Sequence, residues 1–126
     1  MEIVEEEVAL NEKKFKASII ETKNAVISLF YEEEPRLGTL AVAMPSFDHP
    51  EINTSSILLG ERNITTTRVL AEGLSKEYGK IALVSTSFKK EEYMVTESLG
   101  KLLKKIIARH STKENEPKNL LKRNSD

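Results

Sequence analysis

A chain of 126 residues, with a formal net charge of −1 and no cysteine, reads as one domain able to bury a core without disulfides. It lacks the basic excess that draws proteins to nucleic acid or anionic lipid. Its histidines, His49 and His110, stand far apart, which argues against a histidine metal centre, and its apolar runs are too short to span a bilayer. The acidic start (Glu2, Glu5, Glu6, Glu7) is unlike a secretion signal, so a soluble cytoplasmic protein is expected. Glycosylation-like triplets at Asn53 and Asn63 then read as chance.

Residues 1–12 mix acid with Ile3, Val4, Val8 and Leu10, a pattern that suits either a frayed lead-in or a weak edge strand. Phe15 to Thr22 and Ala25 to Tyr31 are β-rich runs joined at Lys23-Asn24, a spacing that predicts an antiparallel hairpin. The connector Glu32-Glu33-Glu34-Pro35-Arg36-Leu37-Gly38 follows, its acid run reading as a solvated loop rather than a ligand site. Leu40 to Met44 is an apolar strand stopped by Pro45, which has no N–H to give a sheet. Ser55 to Leu59 is a short strand closed by Gly60. Thr65-Thr66-Thr67 leads into a helical period at Leu70, Ala71, Leu74 and Tyr78, ended by Gly79 as a left-handed cap. Lys80 to Thr86 is a further strand.

The last ordered element is a helix with Val95, Leu99, Leu102, Leu103 and Ile106 on one stripe. Lys101, Lys104, Lys105 and Arg109 lie opposite and toward its C-terminal end, where positive charge suits the helix dipole. Residues 1–110 are taken as the domain and 111–126 as a disordered charged tail, in which Leu120-Leu121 is at most a small docking motif. No internal repeat is present.

No catalytic constellation emerges, and neither a cofactor nor a metal site is expected. Gly60-Glu61-Arg62-Asn63 before a helix is only suggestive of anion binding. A cap by Asn63 or Thr65 outweighs it, because the threonines there satisfy free backbone donors without a ligand. Asp48-His49 reads as a surface turn, since no nucleophile is placed beside it. Ser46, Ser55 and Ser56 lack a nucleophile elbow. Lys104-Lys105 is a solvated helix face, with no aromatics interleaved for nucleic acid.

The strands carry the functional signal. Ala25, Ile27 and Leu29 oppose Val26, Ser28 and Phe30; Leu40, Val42 and Met44 oppose Thr39, Ala41 and Ala43; Ile81 and Leu83 oppose Ala82 and Val84. None shows the apolar–polar alternation of a sheet with one wet face. Two helices cover one face only, so a binding module is expected, with a two-fold dimer as the default.

The same residues carry a resemblance. Leu40-Ala41-Val42-Ala43-Met44, Ser55-Ser56-Ile57-Leu58-Leu59-Gly60, and the Thr65-Thr66-Thr67 helix start with Leu70-Ala71 and Leu74 are similar to the proteasome assembly chaperone 4 family. Element order agrees over about Phe15 to Ile107, and the specific match runs over about Leu40 to Leu74. The resemblance implies a non-enzymatic dimeric chaperone that binds α-type subunits of the 20S proteasome and helps order the α-ring, with no nucleic-acid or membrane partner. In eukaryotes the third and fourth such chaperones pair. It implies an α+β fold: a mostly antiparallel sheet of about six strands, two helices on one face, and the other face dimerising. After the L-L-G, where an acidic residue is usual, this chain has Glu61-Arg62-Asn63. The Lys/Glu/Ile-rich composition would also suit an archaeal relative acting as a homodimer.

On this reading Pro45, Asp48, Glu61, Arg62 and Asn63 are candidate partner-binding residues, on loops Pro45 to Thr54 and Gly60 to Thr65. Ile19, Ile27, Leu29, Val42 and Met44 form the core or dimer sheet. Two alternatives stand beside it: a small dimeric roadblock- or longin-like adaptor, and an anion- or nucleotide-binding protein using the helix start at Thr65.

Overall fold

A computed structural model describes residues 3–10, 13–46, 54–89 and 99–110. Five strands, β1 (Ile3–Leu10), β2 (Lys13–Glu21), β3 (Ala25–Tyr31), β4 (Thr39–Met44) and β5 (Thr54–Leu59), precede helix α1 (Ile64–Tyr78) and strand β6 (Ile81–Ser87). A second helix, α2, occupies residues 99–110. The strands form one sheet in the order β1-β2-β3-β6-β4-β5. Every pairing is antiparallel except β3 with β6.

The undecided N-terminal run is thus a full edge strand, with Val4 buried on the helix side and Glu5 and Glu7 exposed. The β2–β3 hairpin forms as the spacing predicts. Thr22 closes it, its N–H donating to the Ala25 carbonyl at 2.8 Å and its hydroxyl accepting from the Ala25 N–H at 3.0 Å. β6 then inserts between β3 and β4, so that β5, α1 and β6 make a crossover spanning β4.

Both helices lie on one face of the sheet. Leu70, Ala71 and Leu74 of α1 and Leu99, Leu102 and Ile106 of α2 share a core with Val4, Phe15, Ile19, Val26, Phe30 and Val84. Phe15 meets Phe88 edge to face, ring centres 5.6 Å apart. A Cβ on Gly73 would stand 3.3 Å from Leu103, so the two helices approach closely there. Val95 of the predicted apolar stripe lies outside the described residues, as does the proposed tail.

Several polar groups within the core are bonded. Thr67 Oγ1 donates to the Asn63 carbonyl or shares a proton with Thr86 Oγ1, both at 2.6 Å. The far end of α2 is held by a side-chain relay, in which the buried His110 ring lies 3.0 Å from the Tyr78 hydroxyl and 3.6 Å from the Glu21 carboxylate. Lys80 pairs with the same carboxylate.

The helix starts differ from expectation at one point and agree at another. Asn63 occupies the cap position, but at φ 55° its side chain makes no capping bond; its carbonyl instead receives the Thr67 N–H at 2.9 Å. Neither Asn63 nor Thr65 therefore caps α1 by a side chain. Gly79 closes the helix as predicted, left-handed at φ 63°, with its N–H on the Ser75 carbonyl.

Candidate interaction surfaces

The sheet face away from the helices is built from alternate residues of every strand. In register across it lie Ile20, Ile27 and Leu83, then Val42 and Ser56, and beside them Leu29, Leu40 and Met44. The apolar side chains among them are half-buried, while Ser56 is exposed and Met44, at the sheet's margin, remains 52% exposed. No helix among the described residues covers this face. The β1–β2 end is more polar, with Glu5, Glu7 and Lys16. There the buried Tyr31 has a pKa raised above the usual tyrosine value, first by burial and then by the Glu5 carboxylate.

The five sheet residues singled out from sequence divide between the faces. Ile27, Leu29, Val42 and Met44 are on the open face, whereas Ile19 is fully buried under the helices beside Phe15 and Ala17. Strand alternation explains the split: Ile19 pairs with Ser28, Ile20 with Ile27. Ile19 is therefore core and no part of an exposed surface.

The candidate partner-binding residues do not converge. β4 runs from Thr39 to Met44 and β5 returns antiparallel, so Pro45 follows one end of this pair while Glu61, Arg62 and Asn63 follow the other. Six residues separate these ends by roughly 17 Å. Pro45 is half-buried, and Asp48 lies outside the described residues. Glu61 and Arg62 are exposed, and Asn63 is buried.

At the Glu61 end the topology brings together segments far apart in the chain. The β3–β4 connector, the β5–α1 turn and the residues after β6 surround an open cleft of about 450 Å³, lined among others by Glu32, Glu34, Arg36, Thr39, Glu61 and Arg62. The acid run read as a solvated loop thus forms a wall of this cleft. Glu33 is anchored there, its carboxylate 3.8 Å from Lys89 and its carbonyl 3.5 Å from Lys16. Glycine is required where the walls meet: a Cβ on Gly60, at φ 96°, would stand 2.6 Å from Thr39. Among the described residues, no group of three histidine, cysteine or acidic side chains is placed to hold a metal ion. No helix there is long and apolar enough to cross a membrane.

An open mixed sheet, helices on one side, and an apolar face on the other define the class as an α+β domain presenting a sheet surface. No protein-family model and no curated protein matches the chain. Among solved structures, it is similar to a chain in the crystal structure of a novel chaperone complex for yeast 20S proteasome assembly. Identity is 14% and the TM-score 0.64, over 88% of this chain and 95% of that one. The two share a fold.

Proposed function

We propose that this protein is a non-enzymatic chaperone of 20S proteasome assembly, which binds α-type subunits and acts as a dimer. The observation that carries the reading is the fold likeness to a chain of the yeast assembly-chaperone complex across nearly the whole length. The apolar open face supports the dimer, since a surface of this kind normally meets a partner. A two-fold arrangement lets one patch cover its own copy; a related chaperone would cover it equally. Ile27, Leu29, Val42 and Met44 would make that contact. Loops at the sheet ends, with Pro45 and Asp48 at one and Glu61, Arg62 and Asn63 at the other, would then meet the α-type subunit. Release follows when later subunits compete for the same surface. The mechanism needs burial and no bond chemistry, and it places the protein in the cytoplasm with the assembling core particle.

The test combines mass measurement of the free protein with co-purification on tagged α-type subunits. A dimeric mass and retention by α-type subunits are expected. A monomer that no α-type subunit retains would overturn the proposal.

A further inference from the structure

Two features have no part in the function proposed above: the β1–β2 end of the open face, and the run Lys118-Asn119-Leu120-Leu121-Lys122-Arg123 that follows α2 in the sequence. On the face, Ile3, Ile20, Ile27 and Leu83 lie in register as one apolar row across four strands. Ile3, on the edge strand, is 59% exposed. Beyond it along β1, pointing to the same side, stand Glu5 and Glu7. Both are exposed, and neither carboxylate forms an ion pair among the described residues. Lys16, across from Glu7, turns instead to the Glu33 carbonyl at 3.5 Å. Lys105 and Arg109 take Glu6, which points to the other side.

The end of α2 fixes where the following chain starts. His110 lies 3.0 Å from the Tyr78 hydroxyl and 3.6 Å from the Glu21 carboxylate, at the β2–β3 hairpin end of the sheet. Ile20, one residue before Glu21, already belongs to the open face. Leu120 comes ten residues after His110, and ten residues reach about 33 Å. Rounding the hairpin end crosses one layer, about 10 Å. The order of groups matches as well. Inward from the hairpin end stand Ile3 and Ile20, then Glu5, then Glu7. Outward from His110 come Leu120 and Leu121, then Lys122 and Arg123. Leucines therefore fall on the apolar row and cations on the unpaired carboxylates. A tether this short sets an effective concentration of about millimolar, so the chain meets its own face before that of another copy.

We propose that residues 118–123 fold back onto the open face of their own chain and mask the dimer contact until a partner copy displaces them. Leu120 and Leu121 lie on Ile3 and Ile20, and Lys122 and Arg123 lie against Glu5 and Glu7. Two sheets packed face to face stand about 10 Å apart, with side chains filling the gap, so a segment lying there excludes the second sheet. The masking rests on the dimer reading above; the contact itself does not.

The experiment uses the full chain, with sedimentation to measure dimer affinity and methyl NMR on dilute protein to follow Ile3, Ile20 and Ile27. Leu120→Ser combined with Leu121→Ser uncovers the apolar row, so these methyl signals shift and the dimer tightens. A segment seated about two-thirds of the time leaves one protomer in about three free, and both must be free to pair, so the gain is about tenfold. Lys122→Glu combined with Arg123→Glu does the same, and adding Glu5→Lys with Glu7→Lys to that variant restores the wild-type affinity. Unmoved methyl signals in the leucine variant overturn the contact, and a charge swap that restores nothing overturns the pairing. Moved signals with unchanged affinity in a protein that dimerises overturn the masking. Moved signals in a chain that never dimerises uphold the contact and refute the dimer reading instead.

Discussion

Replacing Val42 by Asp sets a carboxylate in the middle of the open sheet face, between Leu83 on β6 and Ser56 on β5. In a lone chain this position is half-buried, and the charged group can turn toward water, so the fold survives with a modest loss. In a two-fold dimer the same substitution appears twice, once from each side of the contact. An unpaired charge held there costs about 3 kcal/mol per copy, or about 6 kcal/mol for the pair. At 1.4 kcal/mol per decade, that is a loss of about four powers of ten in dimer affinity. Sedimentation across a concentration series measures it directly, with a melting curve as the control on folding. A monomer that stays folded is the expected result. A Val42→Asp protein that remains dimeric at the wild-type concentration would show that this face is not the contact, and the open surface would need another explanation.

Leu102→Ala empties a fully buried position beneath α2 and is expected to cost about 2–5 kcal/mol in denaturant titration; a loss below about 1 kcal/mol would mean α2 is not packed as described. Tyr31 has its pKa raised by burial and by Glu5, so on raising the pH the unfolded chain ionises first, near 10. Its contribution to stability is whole below that pH and lost as the pH climbs through the folded value. Tyr31→Phe should flatten this part of the alkaline stability curve, and superimposable curves would refute it. Arg62→Ala leaves melting unchanged, the side chain being exposed, and weakens α-type subunit binding; equal retention would remove this turn from the contact. Asn63→Ala is a poorer probe, because the buried, left-handed asparagine gives way to a residue that tolerates φ 55° less well.

Local pattern made most elements legible. Thr22 to Ala25 fixes its hairpin with bonds inside four residues, and Gly79 ends α1 by its own backbone freedom. Pro45 and Gly60 bound strands for equally local reasons. β1 was ambiguous because it is an edge strand, in which Glu5 and Glu7 face an exposed rim while Glu6 pairs with Lys105 of α2. What no window of sequence carries is the placement of β6 between β3 and β4. That insertion brings Glu32 and Glu34 to Arg62 and buries Thr39 at the floor of their cleft. Pro45 and Glu61 share a hairpin but sit at its opposite ends, because β5 returns antiparallel along β4. Alternation did sort the two faces of each strand, yet it could not say which face the helices would choose, and so Ile19 was grouped with residues of the other side.

The relation between α2 and the first three strands bears on how the protein is made. Lys105 reaches the Glu7 carbonyl at 2.7 Å and the Glu6 carboxylate at 3.2 Å, and His110 lies against Glu21, so α2 roofs the β1–β2 meander. A ribosome releases that meander well before it makes the helix that shelters Val4 and Phe15. These strands emerge with their apolar core side uncovered, and it stays so until α2 has been made. The protein that we propose guards other chains during assembly is, for most of its own synthesis, a chain in need of a guard.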